Sequence, residues 1–215
     1  MKENIINLYL TPGSRLYEEL ANLLQQELRE PKLYNDILSA IANGSTRHNQ
    51  IAKKIGKSTG AISNYLKSLI ELGIVEKRTP VGEKEGRKSI YVIVDGMYRF
   101  WHQLVRPNSQ AIELRQVETI YQERVKEGLS KFIGFAFEQM GREYLIQSNK
   151  IPFYIHKYGV WGGNPCEKRQ EEIDLVAIGD NEIIFGKFKW RNQLLEMNIL
   201  NDLKNKSEFF SQKKK

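Results

Sequence analysis

The amino-acid sequence predicts an α+β protein with two domains, which cover residues 1–105 and 106–215. Two observations carry this prediction. Apolar residues recur at helical spacing as far as Gly73, where the pattern changes to that of strands. A second helical region, about residues 110–148, is then followed by three short segments typical of strands. A chain of 215 residues is long enough to form two small domains with buried cores.

The first domain begins with helices whose ends have clear physical causes. Glu30-Pro31 ends the first helix, because a residue before proline avoids the helical region. Ser58 is a good N-cap for the last helix, and Gly56 permits a tight turn before it. The predicted helices cover residues 14–29, 32–43, 47–55 and 59–72.

A β-hairpin is predicted to follow these helices. Residues 74–78 and 89–94 read as strands, and the polar loop 79–88 between them contains Pro80, Gly82 and Gly86. Three short helices followed by a hairpin with a basic tip predict a winged helix-turn-helix.

The charge distribution of this domain favours DNA as a partner. The net charge of +7 favours acidic partners in general. Polar side chains at the start of a recognition helix reach base edges, while flanking basic residues contact phosphates. The alternative is a solvated face on a domain used for protein contacts. The residues predicted to contact DNA are Arg47, Lys53, Lys54, Lys57, Ser58, Thr59, Ser63, Asn64, Lys67, Lys77, Arg78, Arg87 and Lys88.

The second domain is predicted to start at a hinge, Arg106-Pro107-Asn108-Ser109. After the helical region, strands are expected over residues 158–162, 172–179 and 182–190, and a last helix over 194–210. This last helix is expected to bury Leu195, Ile199, Leu203 and Phe210.

Three residues of this domain form a candidate catalytic set. Glu138 lies on the helix before the sheet, Asp174 on the middle strand and Lys189 on the next strand. Hydrolysis of a phosphodiester with Mg²⁺ requires carboxylates to hold the ion and a lysine to orient water or stabilise charge. Such sites carry a second carboxylate two residues before the lysine, but this chain has Lys187 there.

Several interpretations of this set remain open. An active endonuclease would bind Mg²⁺ through Glu138 and Asp174. Alternatively, Lys187 pairs with the carboxylates and holds the site together without metal. In a third interpretation, Lys187 and Lys189 point to the same face of a strand and bind a phosphate backbone without cutting it.

Five stretches give a resemblance to the C-terminal half of the archaeal-type P-loop ATPases of the AAA/STAND group. The resemblance implies a winged helix followed by a restriction-endonuclease-like, PD-(D/E)XK-type domain, with Glu138, Asp174 and Lys189 as its core residues. The stretches are Tyr9-Leu10-Thr11-Pro12-Gly13-Ser14, the run from Glu30 to Leu38, Tyr98-Arg99-Phe100-Trp101, Phe135-Ala136-Phe137-Glu138 and Glu172-Ile173-Asp174-Leu175-Val176-Ala177.

The chain departs from this family in two ways. Lys187 replaces the expected acid, and neither the ATPase half nor a closing strand after the last helix is found. We therefore expect a DNA-binding remnant of such an ATPase with a degenerate nuclease-like site, incomplete at its C-terminus. The alternatives are an active endonuclease, a docking module for a separate P-loop ATPase subunit, and a transcriptional regulator.

The remaining features exclude other classes of protein. No G-x-x-x-x-G-K-[ST] or G-x-G-x-x-G motif is found, so no ATP or dinucleotide binding is expected on this chain. The single cysteine, Cys166, is expected to be structural and fits a reducing cytoplasm. No cofactor is expected other than Mg²⁺ at an active nuclease-like site. No apolar run is long enough to span a membrane, so a cytoplasmic protein is expected.

Overall fold

The computed structural model describes residues 1–27, 30–86, 88–148, 150–163 and 171–212. The chain divides into two compact units. The first comprises Met1–Arg78 and Ser89–Phe132, and the second Thr79–Lys88 and Ile133–Lys215. This division differs from the expected boundary between residues 105 and 106. It falls later in the chain and assigns the hairpin loop to the second unit.

The first unit contains the helices predicted from periodicity and the predicted hairpin. The hairpin strands pair antiparallel, with Val75 opposite Ile93. The first helix was not predicted, since it is short and only Ile5 of its residues is buried. The elements are α1 (Lys2–Tyr9), α2 (Arg15–Glu27), α3 (Pro31–Ala42), α4 (His48–Lys54), α5 (Thr59–Glu71), β1 (Val75–Arg78) and β2 (Ile90–Ile93).

The helix-turn-helix is held together by a core that joins α3, α4, α5 and the hairpin. Each fully buried aliphatic side chain in it contributes about 1.5–3 kcal/mol. Gly56 closes α4 with φ +68°, a left-handed conformation that side-chain-bearing residues rarely adopt. Ser58 caps α5 by accepting a hydrogen bond from the backbone N–H of Ala61 at 3.3 Å. The best-buried members of this core are Ile37, Leu38, Ile51, Ile62, Leu66 and Leu69.

The rest of the first unit is helical, and the predicted hinge lies inside it. Residues 106–109 belong to helical turns, and the Arg106 guanidinium is fixed by hydrogen bonds to Asp36 Oδ1 at 3.0 Å and Ser39 Oγ at 2.6 Å. The elements are α6 (Gly96–Phe100), a π-helical turn (Trp101–Val105), a 3₁₀ turn (Arg106–Asn108), α7 (Ser109–Glu113), α8 (Val117–Ile120), a second π-helical turn (Tyr121–Val125) and the first part of α9 (Lys126–Gln147), whose residues from Ile133 onward are assigned to the second unit.

The second unit contains a three-stranded antiparallel sheet in the order β3-β4-β5. Its elements are β3 (Lys157–Gly163), β4 (Glu171–Ile178), β5 (Ile183–Gly186) and α10 (Met197–Gln212). The strands lie where periodicity predicted them, but β5 ends at Gly186 rather than at residue 190. The last helix begins at Met197, so Leu195 is exposed rather than buried. Phe210 is buried as predicted and packs edge-on against Trp161 and Phe185.

The hairpin loop contributes to the core of this second unit. Val81 is 1% exposed and belongs to the cluster of Trp161, Ile173, Val176 and Phe210. Its backbone N–H donates to the carbonyl oxygen of Val160 on β3 at 2.9 Å. Thus the loop is packed along β3, whereas the sequence analysis expected a wing available to DNA.

No helix in the described part of the chain combines the length with the hydropathy that crossing a bilayer requires.

Candidate nucleic-acid interface and carboxylate site

The stretch from the middle of α3 almost to the end of α5 carries no acidic residue. No Asp or Glu occurs between Asp36 and Glu71, whereas five basic residues do. Positive charge concentrated in this way attracts the phosphate backbone of nucleic acid. The five basic residues are Arg47, Lys53, Lys54, Lys57 and Lys67.

The polar residues of α5 lie on the side of the helix away from the core. Ile62, Leu66 and Leu69 are buried, and residues 60, 64, 67 and 71 lie opposite them at the spacing of one helix face. All four of these opposite residues are exposed. The predicted base-contacting residues Ser58, Thr59 and Ser63 are exposed as well. The structure therefore presents the predicted polar end of α5 to solvent.

The basic residues around α5 differ in their exposure and in whether they form ion pairs with other residues of the chain. Lys53, Lys54 and Lys57 are exposed and form no ion pair with any residue that the structure describes. In contrast, Lys67 Nζ lies 3.7 Å from Glu71 Oε1, one helical turn away. Arg47, at the start of α4, is partly buried. The uncompensated charge thus flanks the N-terminal half of α5.

Ser63 is also engaged within the helix-turn-helix. Its hydroxyl donates to the carbonyl oxygen of Thr59 at 3.0 Å, and its oxygen lies 3.3 Å from His48 Nε2. This serine therefore has less capacity to bind a base than Asn64. The Asn64 side chain forms no hydrogen bond with the residues that the structure describes; Ser68 Oγ donates to its backbone carbonyl instead.

The basic residues predicted on the hairpin are divided between the two units. Lys77 and Arg78 belong to β1, where Arg78 Nε donates to Glu76 Oε2 at 2.8 Å. Lys88 belongs to the second unit, where its Nζ donates to Glu83 Oε1 at 2.5 Å. Arg87 lies outside the described residues. The role of these residues in a basic wing stays a prediction.

A buried carboxylate forms the centre of the second candidate site. Asp174 on β4 is 2% exposed. Its Oδ1 accepts from Lys187 Nζ at 2.6 Å, and its Oδ2 accepts from the backbone N–H of Phe188 at 2.9 Å. The pairing register explains this geometry: Leu175 lies opposite Gly186, so the next pair along the chain is Asp174 and Lys187. Both carboxylate oxygens are therefore occupied by donors from the chain itself.

Glu138 lies close enough to Asp174 for the charge of Asp174 to change its pKa. Burial, and secondly the negative charge of Asp174, raise the pKa of Glu138 above its ordinary value, and Lys187 acts in the opposite direction. Arg142, one turn further along α9, donates from Nη1 to the carbonyl oxygen of Asp174 at 3.2 Å. The structure thus brings Glu138, Asp174 and Lys187 together.

Lys189 does not take the position expected of a catalytic lysine. The strand ends at Gly186, so the alternation that placed Lys187 and Lys189 on one face of a strand does not apply. The Lys189 side chain is exposed, whereas that of Lys187 is 15% exposed. Lys187 is therefore the lysine beside the carboxylates.

Sequence reasoning missed two donors at this site. The N–H of Phe188 has no sequence signal, because it depends on the backbone turning after β5. Arg142 had a weak signal, since it follows Glu138 by one helical turn.

The described residues do not include a metal-ligand cluster. No group of three or more His, Cys, Asp or Glu side chains in them is placed to hold a metal ion. Asp174 and Glu138, the two predicted ligands, lie beside the ammonium group of Lys187 instead. The predicted structural role of Cys166 concerns a residue outside the described part of the chain.

Comparison with known families gives two matching stretches of the chain. Residues 35–77 match a family model described as bacterial regulatory proteins of the arsR family, which have a helix-turn-helix. Residues 101–206 match DUF234, described as archaeal and bacterial proteins of unknown function. The first match indicates a DNA-binding or regulatory role for residues 35–77.

Comparison with individual proteins finds a longer relative. An uncharacterized protein of Methanocaldococcus jannaschii is 36% identical over 186 residues, which are 83% of this chain and 40% of the relative. The chain therefore spans less than half the length of this relative. No solved structure matches the chain. Taken together, the comparisons identify a helix-turn-helix region of regulatory type followed by a DUF234-like region.

Proposed function

We propose that the chain binds duplex DNA through α4 and α5. The observation that carries this proposal is the charge of the helix-turn-helix, where five basic residues and no acidic residue lie between Asp36 and Glu71. The match to regulatory helix-turn-helix proteins supports the same role. In this proposal α5 enters the major groove, and Lys53, Lys54 and Lys57 neutralise phosphates on either side.

The proposal assigns the hairpin a smaller part than the sequence analysis did. Val81 is buried in the core of the second unit, and Lys88 is paired with Glu83. The loop therefore contributes to the packing of the second unit. The contribution of Lys77, Arg78, Arg87 and Lys88 to DNA binding stays a prediction.

The nuclease-like site is proposed to be closed to metal rather than catalytic. Two contacts support this: Lys187 Nζ occupies one oxygen of Asp174, and the Phe188 N–H occupies the other. A divalent cation would have to displace both donors and share the site with the ammonium group of Lys187. The restriction-endonuclease-like fold and the origin in an archaeal-type ATPase are part of this proposal and rest on the sequence resemblance.

The decisive experiment is the affinity of the full chain for a plain duplex across a salt series. Binding should weaken steeply with salt, because each phosphate contact contributes about 0.9 to the slope of log K against log salt. The triple variant Lys53→Ala, Lys54→Ala, Lys57→Ala should lower that slope by up to about 2.7.

A matched control removes the same charge elsewhere. Lys126, Lys131 and Lys204 are exposed lysines outside the helix-turn-helix. Changing these three to alanine should leave the salt slope unchanged. Equal losses in the two triple variants would show that only net charge matters, and absence of binding at low salt would overturn the proposal.

The same samples test the active-endonuclease alternative. After incubation with Mg²⁺, the duplex should remain intact. Cleavage that disappears in Asp174→Ala would replace the closed-site proposal with an enzymatic one.

The second candidate is a docking module for a separate P-loop ATPase subunit. Exposed large apolar side chains just before and within α10 favour it: Trp190 is 54%, Leu194 91%, Leu195 60% and Met197 66% exposed. Large apolar side chains left in water are typical of interfaces. Sedimentation of the chain mixed with an ATPase encoded beside it should show a complex that Leu194→Asp with Leu195→Asp weakens.

A further inference from the structure

The recognition helix contains a glycine that the fold does not require. Gly60 lies in the first turn of α5, and its φ is not in the left-handed region. A Cβ atom built at Gly60 would meet no atom within 4 Å apart from its chain neighbours and the backbone of its own helix. Glycine lowers helix stability relative to alanine. Therefore neither backbone conformation nor internal packing requires glycine at this position.

Asn64 lies one turn further along the same face. Residues 60 and 64 are four apart, and both lie opposite the buried side chains of Ile62, Leu66 and Leu69. The Asn64 side chain is exposed and makes no hydrogen bond to the residues that the structure describes. Its amide thus presents a free donor and a free acceptor beside the clearance at Gly60.

The other polar residues of this face are less free to form hydrogen bonds with a base. Ser63 donates its hydroxyl proton to the Thr59 carbonyl, and Lys67 lies 3.7 Å from Glu71. No arginine or glutamine occurs in α5. Consequently, Asn64 is the side chain best placed for two simultaneous hydrogen bonds to one base.

We infer that Asn64 reads an adenine in the major groove, and that Gly60 gives the clearance that lets this short side chain reach it. An asparagine amide matches adenine because its Oδ1 accepts from N6–H and its Nδ2 donates to N7. This inference rests on the proposed DNA binding and adds the base that is recognised. The bound sequence should therefore contain an essential A·T pair.

The test begins by selecting preferred duplexes from a randomised pool with the full chain. One A·T pair should be enriched at a fixed position in the bound sequences. Asn64→Ala should weaken binding of the selected duplex by about 5- to 150-fold and relax the preference at that position. Asn22→Ala is the matched control, since it removes an exposed helical asparagine outside the helix-turn-helix.

A modified base isolates the hydrogen bond itself. Replacing the enriched adenine by 7-deazaadenine removes the N7 acceptor while leaving base pairing intact. The wild-type chain should lose affinity for the modified duplex, whereas Asn64→Ala should bind both duplexes equally. A loss of equal size in both proteins would overturn the assignment of Asn64.

The role of Gly60 is tested by measuring both stability and DNA affinity in two variants. Gly60→Ala should raise the unfolding temperature, because alanine is the better helix former, and Gly60→Leu should reduce affinity for the selected duplex at least tenfold. A variant that lowers both stability and affinity would indicate a structural glycine and overturn this role. Binding of all sequences with equal affinity would overturn the inference alone, whereas absence of any duplex binding would overturn the proposed function itself.

Discussion

The ammonium group of Lys187 lies 2.6 Å from Oδ1 of Asp174, in the position where the sequence resemblance leads one to expect an acid. The pair is largely buried, with side-chain exposures of 15% for Lys187 and 2% for Asp174. A carboxylate removed from water in this way is tolerated only when it is paired and hydrogen-bonded. Lys187 thus supplies the positive charge that a metal ion would otherwise supply to Asp174.

The first prediction concerns the removal of this charge. Lys187→Met keeps most of the side-chain volume but leaves Asp174 buried without a counter-charge, so unfolding free energy should fall by roughly 3–5 kcal/mol. Lys187→Glu should cost at least as much in the absence of metal, because it adds a carboxylate beside Asp174 and Glu138. Urea denaturation followed by backbone circular dichroism measures both variants.

Added Mg²⁺ should affect the stability of the two variants differently. Because Lys187→Glu restores the expected acid, added Mg²⁺ should recover part of its stability, and calorimetric titration should detect binding. Lys187→Met should gain nothing from Mg²⁺. If Lys187→Glu shows no gain in metal affinity, the residues around Asp174 do not have the geometry of a metal site.

The second prediction follows from the raised pKa of Glu138. Since burial and Asp174 raise this pKa in the folded state, the folded protein holds the proton more tightly than the unfolded chain. The stability that this carboxyl contributes is therefore present in acid and is lost as pH rises through its folded pKa. Glu138→Gln should be more stable than the wild type at pH 7–8, and the difference should vanish towards pH 4.

Thermal unfolding across this pH range provides the measurement. The control is Glu127→Gln, which changes an exposed carboxylate near the start of the same helix. A Glu138→Gln variant that is less stable at every pH would contradict this prediction. It would show that the carboxylate stabilises the fold through packing or hydrogen bonding.

The third prediction concerns the packed hairpin loop. Val81→Ala removes two buried methyl groups from the cluster with Trp161 and Phe210, which should lower the stability of the second unit by about 1.5 kcal/mol or more. Hydrogen exchange of peptides from β3 and α10 should become faster, while exchange in α3 should not change. Lys84→Ala, at an exposed position in the same loop, is the control. Unchanged exchange in β3 would contradict the packing of this loop.

The fourth prediction concerns the buried His102 in the first unit. Its Nδ1 lies 3.0 Å from Ser39 Oγ, which also accepts from Arg106 Nη1 at 2.6 Å. Burial, and secondly the charge of Arg106, lower the pKa of His102 from its ordinary value of 6.5 to about 3. The folded state therefore keeps this histidine neutral, whereas the unfolded chain takes up a proton below pH 6.5.

This difference makes the first unit sensitive to acid. The stability contributed by neutral His102 is present above pH 6.5 and is lost, by up to about 1.4 kcal/mol per pH unit, as pH falls towards 3. His102→Asn retains an acceptor for Ser39 but does not titrate, so its unfolding free energy should fall less steeply between pH 6.5 and 4. Parallel slopes for the two proteins would contradict a neutral buried histidine.

Sequence periodicity determined most of the local structure. The four predicted helices of the first domain and all five predicted strands are present, because burial of a regular apolar pattern is a local property of the chain. It missed α1, in which a single residue is buried. It also interpreted residues 106–109 as a hinge from their composition, although the contacts of Arg106 with Asp36 and Ser39 fix them.

For the candidate sites, the sequence by itself predicted which side chains to consider: the polar end of α5, and Glu138, Asp174 and Lys189, with Lys187 in place of the expected acid. Tertiary structure alone decided how these side chains are used. It placed Lys187 rather than Lys189 beside Asp174, supplied the Phe188 N–H, and buried Val81 of the hairpin loop. The physical reason is that strand register, strand ends and burial depend on contacts between residues distant in sequence, which no local pattern encodes.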